Sequence, residues 1–590
     1  MSSRFDLYRS SEAPIPSQAW GWNMYGPGVE NIGRNGKPES FPVLEPNAEQ
    51  LLVRVDAAGL CFSDVKVIQQ GGKHPKLYNR NLATQPTRLG HEVALTVMKV
   101  GKKLQDQFRP GQRLALQPDI YERGKSTAYG YTIPGGLIQF HLMGPEVLQG
   151  DDGSYVLPLE GDLGYAETAL MEPWACVEAA YSQRRRLAPK SGGVMWIVGR
   201  PGDSTEYKFS CGLDAPATIV TTDVPPSLFA LVKREATVRG ATLVVRDGLT
   251  PEGYRALRSE LTAGIGFDDI VLLDPRSAQA VSEAAKLLAR RGTFNLVGRT
   301  PLDSHPLIDV GRIHYDCTAY FGHPGPDIAA AYGQARNRCE LRAGGTALFV
   351  GAGGPMGRMH VQRAIELSPG PALILATDIN AMRLAALVAR FDPLAALHRK
   401  RFVAFNPSAG SRHRYADETE SLRAFVTRET DNRGADDVVV CVPSAEVMAE
   451  AAQTMAPNGM LVLFAGIPNG TFAPLNLSAV SLHNAQFTGT SGSTLADQLA
   501  VIRKALAGEL SPNQSVAAVG GMEAALDGIR AMMEGRYPGK VVIFPQISGL
   551  PLTGLADLKT VVPDVAACLG PGDVWTRGAE AALIELWWER

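Results

Sequence analysis

Residues Gly344–Gly351 read Gly-Gly-Thr-Ala-Leu-Phe-Val-Gly, and residues Gly192–Gly199 read Gly-Gly-Val-Met-Trp-Ile-Val-Gly. Each is a glycine turn followed by a short apolar run that stops at a glycine, the pattern of a buried strand. The two stretches continue in step. Ala217–Val224 (ATIVTTDV) is echoed by Ala372–Ile379 (ALILATDI), and Gly266–Pro275 (GFDDIVLLDP) returns as Gly434–Pro443 (GADDVVVCVP). An alanine-rich helix and a glycine-started strand follow in both. The ends agree too: His305-Pro-Leu precedes Tyr320-Phe-Gly, as Ala473-Pro-Leu precedes Phe487-Thr-Gly. Strand and helix alternate from Gly192 onward, which implies a parallel sheet with helices on its faces. Two copies do not make a solenoid. They make a tandem duplication of one doubly wound domain.

The chain before this repeat has another texture. Leu51–Ala57 (LLVRVDA) reads as a strand ending in a turn at Gly59, and Glu92–Val100 (EVALTVMKV) is β-branched and alternating. Gly111–Leu116 opens a further strand after Pro110, and Gly135–Leu142 (GGLIQFHL) reads as one more. Helical spacing takes over only from Gly161 to Ser182. Beyond the repeat, Leu495–Pro545 offers a helix (Ala496–Leu510) and a strand ending Lys540-Val-Val-Ile-Phe, with no new sheet signal, so it returns to the first domain. The expected boundaries are residues 1–184 completed by 494–590, then 185–337, then 338–493. The tail from Gln546 carries Leu552, Leu555, Leu558 and Leu586-Trp587-Trp588, an amphipathic segment that docks on its own subunit or covers an interface.

At 590 residues the chain is too long for one ordinary domain; about 150 residues per domain suggests three or four. Its 45% hydrophobic and 20% charged content are ordinary for a globular protein. The net charge is −2 with both signs mixed, which argues against a nucleic-acid binder, whose footprint is a concentrated basic face. The short cluster Arg184-Arg185-Arg186 reads as a solvated patch in a linker. Seven cysteines are scattered without any Cys-x-x-Cys spacing, so no disulfide framework is expected and a reducing compartment fits. No signal core and no run of about 18 apolar residues is present, which makes the cytoplasm the expected location, with no membrane partner.

Three segments of the first domain offer metal-ligand chemistry. Cys61-Phe62-Ser63-Asp64 follows a strand and a glycine turn, Gly90-His91-Glu92 opens another strand, and Glu172-Pro173 begins or interrupts a helix. Thiolate, imidazole and carboxylate together suit zinc, with a fourth position left for water or substrate. Singly each has a plainer explanation: a small buried cysteine, a hydrogen-bonded histidine, an exposed acid at a helix start.

In that order and those contexts the segments resemble the zinc-containing medium-chain dehydrogenases/reductases. Gly59–Asp64 looks like the first-ligand motif, Leu89–Glu92 like the second, and Met171-Glu172-Pro173 like the third-ligand region of the polyol branch. The tract Gln117–Cys176, with YGYTIPGG and AETALMEPWAC, is similar to L-sorbose 1-phosphate reductases. The resemblance covers Glu45 to about Glu178 and Gly344–Pro545. It implies an α/β chain: a mostly β, GroES-like catalytic domain plus two tandem doubly wound (Rossmann-like) domains. It further implies that Cys61 and His91 bind zinc, that Glu172 is the third ligand or holds the zinc-bound water, and that Glu92 exchanges into the shell. Ser63 would relay the alcohol proton and Asp64 orient the site from behind. Many family members carry a second, structural zinc on four close cysteines. Leu114–Tyr131 has none, so one zinc per chain is expected. The copy between Gly192 and about Arg338 and the C-terminal tail lie outside the family's layout.

The cofactor loop is expected in the second copy. Gly351, Gly353, Gly354, Pro355, Met356 and Gly357 follow a strand and open a helix, where glycines let the backbone approach a pyrophosphate. The spacing has one residue more than G-x-G-x-x-G. Asp378 closes the next strand, where an acid receives ribose hydroxyls and disfavours a 2′-phosphate. NAD is therefore expected; NADP stays open through Arg383, one turn further on. The first copy keeps Asp223 but reads Gly199-Arg200-Pro201-Gly202-Asp203-Ser204, which predicts a degenerate loop. The implied reaction is hydride exchange between the nicotinamide and a sugar or polyol, phosphorylated or not, in a homo-oligomer (dimer or tetramer). Lys73, His74, Lys76 and Arg88 are candidates to meet a phosphate. The alternative is a non-catalytic nicotinamide-sensing protein derived from the family.

Overall fold

The computed structural model describes residues 3–408 and 420–588. The chain forms two compact units, Met1–Glu178 with Gly492–Arg590, and Ala179–Ser491.

The first unit is organised around Leu51–Gly59, buried at every position. Both of its faces are covered, and the two charged residues it buries, Arg54 and Asp56, pair with each other at 2.7 Å. It pairs antiparallel with Glu92–Val100 on one side and with Lys540–Phe544, from the far end of the chain, on the other. Phe140–Met143 also pairs with it. The strand expected from Gly135 begins only at Phe140, because the Gly135 and Gly136 N–H groups are taken by the carbonyls of Arg88 and Gly90 (2.8 and 2.7 Å). The returning segment holds more sheet than the sequence suggests. Val516–Gly521 is a strand parallel to Lys540–Phe544, and helix Ala525–Glu534 connects them. Its small residues (VAAVGG) hide it from β-propensity, yet they suit a position buried nearly throughout.

The tail closes onto the same unit. In the C-terminal helix Arg577–Trp587, the Glu580 carboxylate accepts the Tyr165 and Ala166 N–H groups (2.6 and 2.8 Å), and Glu585 accepts that of Phe5 (2.8 Å). Trp588 meets the Tyr8 ring edge-on at 5.0 Å. Among the described residues no helix is long and apolar enough to cross a membrane.

The second unit contains both copies of the repeat in a single twelve-stranded sheet. Its strands are β1 Val194–Val198, β2 Thr218–Thr222, β3 Thr242–Val245, β4 Phe267–Leu273, β5 Leu288–Val297 and β6 Ala319–His323, then β7 Thr346–Val350, β8 Leu373–Thr377, β9 Arg401–Phe405, β10 Ala435–Val440, β11 Met455–Leu463 and β12 Gln486–Gly489. The spatial order is β3-β2-β1-β4-β5-β6-β12-β11-β10-β7-β8-β9. Each half is parallel within itself, and the halves meet antiparallel at β6 and β12 through Tyr320 and Phe487. These two residues are counterparts in the repeat, so a local twofold relation passes through that pair. The strands Leu307–Asp309 and Phe472–Pro474 also pair antiparallel across the same junction.

The duplication extends to atomic detail. Arg186 donates to both oxygens of Asp269 (3.0 Å each) and to the Asp268 carbonyl (2.6 Å). Its counterpart Arg338 pairs with Asp437 and donates to the Asp436 carbonyl (2.5 Å). Arg184–Arg186 is therefore not the solvated patch expected: Arg186 clamps the buried Asp269, and Arg185 donates to Gln486 and to the Arg338 carbonyl. The copies differ at the crossover after their first strand. Helix Pro355–Glu366 follows β7, but no helix lies between β1 and β2. Pro201, Gly202, Gly212 and Pro216 punctuate that stretch and break helical propagation.

Candidate active site

Three side chains of the first unit converge. Cys61 stands where Leu51–Gly59 turns into helix Phe62–Gln70, and His91 and Glu92 open the neighbouring strand. Their sulfur, ring nitrogen and carboxylate oxygen all lie within 4.8 Å of one another. The ladder explains the convergence, since Gly59 is registered opposite Glu92. Gly59 is glycine for lack of space: a β-carbon there would run into Glu92 Oε2 and lie 3.1 Å from Glu92 Cβ.

Buried polar groups support the three. Asp64 Oδ2 accepts the Cys61 N–H at 3.1 Å, and Asp64 Oδ1 lies 3.3 Å from His91 Nδ1. Burial by itself lowers the His91 pKa; Tyr131, Asp64 and Cys61 together pull it well above the ordinary value. Glu92 Oε1 pairs with Lys540, a wholly buried ammonium on the strand from the end of the chain. Glu92 Oε2 is buried and accepts no hydrogen bond. A buried carboxylate oxygen without a donor is costly unless a cation completes it. Thiolate, imidazole and carboxylate oxygen form a donor set that fits zinc.

The remaining expected residues fall nearby. Glu172 is buried on helix Met171–Ala179 and accepts a weak hydrogen bond from the Cys176 thiol at 3.6 Å. It lies outside the close set, which contains Glu92 instead. Burial, then the carboxylates of Glu92 and Asp119, push Glu172 up to about 7 against the pull of His91 and Lys540. Ser63 is partly exposed on the first turn after Cys61. The Tyr131 ring lies 5.7 Å from the His91 ring, 5.4 Å from that of His74 and 4.8 Å from Lys76 Nζ, which pairs with Asp119. Burial, then Lys76 and Lys66, lower His74 to about 4. Arg88 is buried and turned to Asn23 Oδ1 at 3.0 Å. Sequence reasoning missed Lys540, Tyr131 and Asp119. Lys540, a lone cation in an apolar strand, and Tyr131, inside the YGYTIPGG tract, left a signal.

In the second unit, Gly351 turns the chain after β7 with φ +79°, and Gly354 caps helix Pro355–Glu366 with Pro355 in its first turn and Met356 next. A β-carbon on Gly357 would lie 2.7 Å from Ala352 Cα, so only glycine lets the helix start this close to the loop. Asp378 Oδ2 accepts the Gly353 N–H at 2.9 Å and Oδ1 that of Asn380 at 2.8 Å. Arg383 follows on the first turn of the next helix, its N–H capped by the Asn380 side chain. The first copy is arranged otherwise. Asp203 accepts from Thr205 N–H and the Tyr207 hydroxyl (3.0 Å each), and these bonds outweigh burial and hold its pKa down. Asp274, where the second copy has Val442, accepts from Thr300 and lies 3.2 Å from Arg276 and 3.8 Å from Arg200.

Residues 47–179 match the family described as alcohol dehydrogenase GroES-like domain. The first unit carries that domain. L-sorbose 1-phosphate reductase of Klebsiella pneumoniae is 29% identical over 389 residues, covering 60% of this chain and 92% of that protein. Mannitol-1-phosphate 5-dehydrogenase of Aliivibrio fischeri is 26% identical over 306 residues (48% of this chain, 71% of that one). Sorbitol dehydrogenase of Bacillus subtilis is 26% identical over 288 residues (46% and 75%). The Cys61, His91 and Glu92 cluster lies within the GroES-like domain.

Proposed function

We propose that the protein is a zinc-dependent oxidoreductase that transfers hydride between a nicotinamide cofactor and a secondary alcohol or ketone of a sugar, polyol or sugar phosphate. The observation that carries this reading is the close set of half-buried Cys61 with buried His91 and Glu92, with an oxygen of Glu92 lacking any donor, inside an alcohol dehydrogenase GroES-like domain. The similarity to three sugar and polyol oxidoreductases supports the substrate class.

Cys61, His91 and Glu92 would hold the zinc, which when bound supplies a Lewis acid that stabilises negative charge on a substrate oxygen. Asp64 fixes the Cys61 backbone and faces the His91 ring, so it orients two donors at once. Lys540 balances the Glu92 charge from the protein side. Glu172 would hold a water or a substrate hydroxyl beside the close set. Ser63, partly exposed, would pass the alcohol proton toward solvent. Lys76 and His74, both beside the Tyr131 ring, would bind the substrate's remaining hydroxyls or its phosphate. The backbone of Gly351–Gly357 would receive the pyrophosphate and Asp378 the ribose of NAD.

Metal analysis of the purified protein is expected to find one zinc per chain, and Cys61→Ala to lose metal and activity while keeping its unfolding transition. Full metal content in that variant would remove Cys61 from the site. Reduction of NAD and NADP, assayed across polyols, sugars and their phosphates, identifies the substrate; a zinc-free protein inert to the whole panel would point to the nicotinamide sensor.

A further inference from the structure

The two copies of the repeat meet antiparallel, so the segment that precedes β6 in the first copy lies beyond the carboxyl end of β12 in the second. That segment is helix Val310–Tyr315, and it packs on the carboxyl ends of β11 and β12. A β-carbon on Gly489, the last residue of β12, would lie 2.5 Å from the Ile313 carbonyl oxygen, and one on Gly311 2.5 Å from that of Pro468. The buried His314 meets the Leu463 carbonyl, at the end of β11, through Nδ1 at 3.3 Å. Tyr315 reaches further. A β-carbon on Gly466 would lie 2.5 Å from the Tyr315 hydroxyl oxygen, so the tip of the ring rests on the loop after β11, while the residue as a whole is 37% exposed.

That loop borders the crevice where a dinucleotide would lie. The second copy has the spatial order β9-β8-β7-β10-β11-β12, and its sequence order reverses between β7 and β10. Dinucleotides lie across the carboxyl ends of such a sheet at the reversal. The glycine loop and Asp378 follow β7 and β8, on the adenosine side, so the nicotinamide nucleotide would fall to the ends of β10 and β11. From β7 to β11 there are two strand spacings of about 4.8 Å each, within reach of a nucleotide held by its phosphate. The loop after β11 is fixed to the same crevice. Its Phe464 and Ala465 N–H groups both donate to the Val440 carbonyl at the end of β10 (3.1 and 3.0 Å). The Phe464 ring lies 4.3 Å from that of His360, on the helix that the glycine loop opens. The copies also differ at the residue beneath Tyr315. Leu463 repeats Leu296, since each pairs with the matching residue of the strand beside it, Val440 or Leu272. Gly466 therefore stands where the first copy has Arg299, whose Nε donates to the Pro324 carbonyl at 3.0 Å. The second copy leaves this position bare, and Tyr315 of the first copy takes the space.

We propose that Tyr315 is a cofactor-binding residue supplied by the first copy, its hydroxyl hydrogen-bonding the nicotinamide nucleotide half of the cofactor beside Gly466. This contact rests on the nicotinamide site proposed above. The first copy, which has a degenerate loop of its own, would thus complete the site of the second, with His314 holding its helix against β11.

Titration calorimetry on the full-length protein with NADH, NADPH, ADP-ribose and ADP tests this, because ADP lacks the nicotinamide half altogether. Tyr315→Phe keeps the ring and removes the hydroxyl. It should weaken the preferred dinucleotide about three- to tenfold, the loss of one neutral hydrogen bond, while ADP affinity and the unfolding midpoint stay unchanged. An equal loss for ADP-ribose assigns the contact to the ribose, and an unchanged ADP-ribose assigns it to the ring or its carboxamide; either supports the proposal. A Tyr315→Phe protein that binds the dinucleotide as tightly as the parent overturns it and leaves the nicotinamide site standing. A loss shared by ADP overturns it as well, since the residue then only supports the loop. A parent protein that binds none of the four would remove the nicotinamide site itself, and the role of Tyr315 with it.

Discussion

Asp378 accepts the N–H groups of Gly353 and Asn380, whereas its counterpart Asp223 accepts from Gly248, on the loop after the neighbouring strand. The same residue in two copies is thus aimed at different loops, and only Asp378 faces a glycine turn that leads into a helix. A carboxylate has about four acceptor positions, so two bonds leave room for ribose hydroxyls, each charge-assisted bond worth roughly 1.5–3 kcal/mol. Asp378→Ala should weaken NAD by roughly tenfold to a hundredfold and narrow or reverse its advantage over NADP. Steady-state kinetics with both cofactors decides it; a natural protein that already prefers NADP would make Arg383 the controlling residue. Residues of this kind were legible because local context marks them. Cys61 and His91 follow glycine turns at strand ends, and Asp378 closes a strand. The third member of the close set was less legible. Glu92 and Glu172 are both carboxylates in suggestive contexts, and the choice between them rests on the pairing of Gly59 with Glu92, a tertiary fact. Lys540 lay further still from view, since only the sheet brings it to Glu92.

Helix Pro355–Glu366 shows where reading by pattern stops at the scale of an element. Its sequence, PMGRMHVQRAIE, alternates polar and apolar residues as if one face met water. In the structure every residue from Gly357 to Ile365 is buried. Distant partners meet part of the polar ones: Arg363 pairs with Glu340 at 2.7 Å, Arg358 lies over the Phe391 ring, and His360 Nδ1 meets the Tyr181 hydroxyl at 2.6 Å, while Arg358 Nη1 and His360 Nε2 are buried without a hydrogen bond. The helix was legible in kind and position from its glycine start, but its burial depends on segments far away in sequence. This gives it a pH signature. Burial, assisted by Arg363, lowers His360 to about 3, so the unfolded chain binds a proton there that the folded chain refuses. Stability from this residue is therefore complete above about pH 6.5 and lost as pH falls toward 3, reaching about 2–3 kcal/mol by pH 4.5. His141, lowered to about 3 by burial and Arg88, adds its own share. Denaturant unfolding at pH 7 and 4.5 should show His360→Gln losing less stability between the two than the parent. Equal losses would mean that His360 titrates normally in the fold.

At the scale of the whole chain, the repeat announced two doubly wound domains, and the structure joins them into one sheet. The repeat could be read because the strands recur residue for residue. The junction could not, because edge pairing leaves no periodic mark in either copy. Its geometry is that of a symmetric dimer interface built within one chain: Tyr320 meets its own counterpart Phe487, and Leu307–Asp309 pairs with Phe472–Pro474. An isologous contact of this kind is self-complementary, so either half could pair with a second copy of itself. The first copy lacks the helix that follows β7 in the second and fills the corresponding turn with Asp203, Arg200 and Asp274. It covers the β12 edge, and a bare edge strand invites pairing with another chain. Removing residues 186–337 joins the chain at equivalent points, since Arg338 repeats the clamp that Arg186 makes on its aspartate. That deletion uncovers β12 and the strand Phe472–Pro474 while leaving the whole second copy intact. The shortened protein should associate into dimers or larger species at micromolar concentration, as read by sedimentation velocity. A charged substitution at an exposed position of the uncovered strands, such as Phe472→Lys, should return it to a monomer. A deletion variant that stays monomeric without them would show that the first copy is not needed to protect this edge.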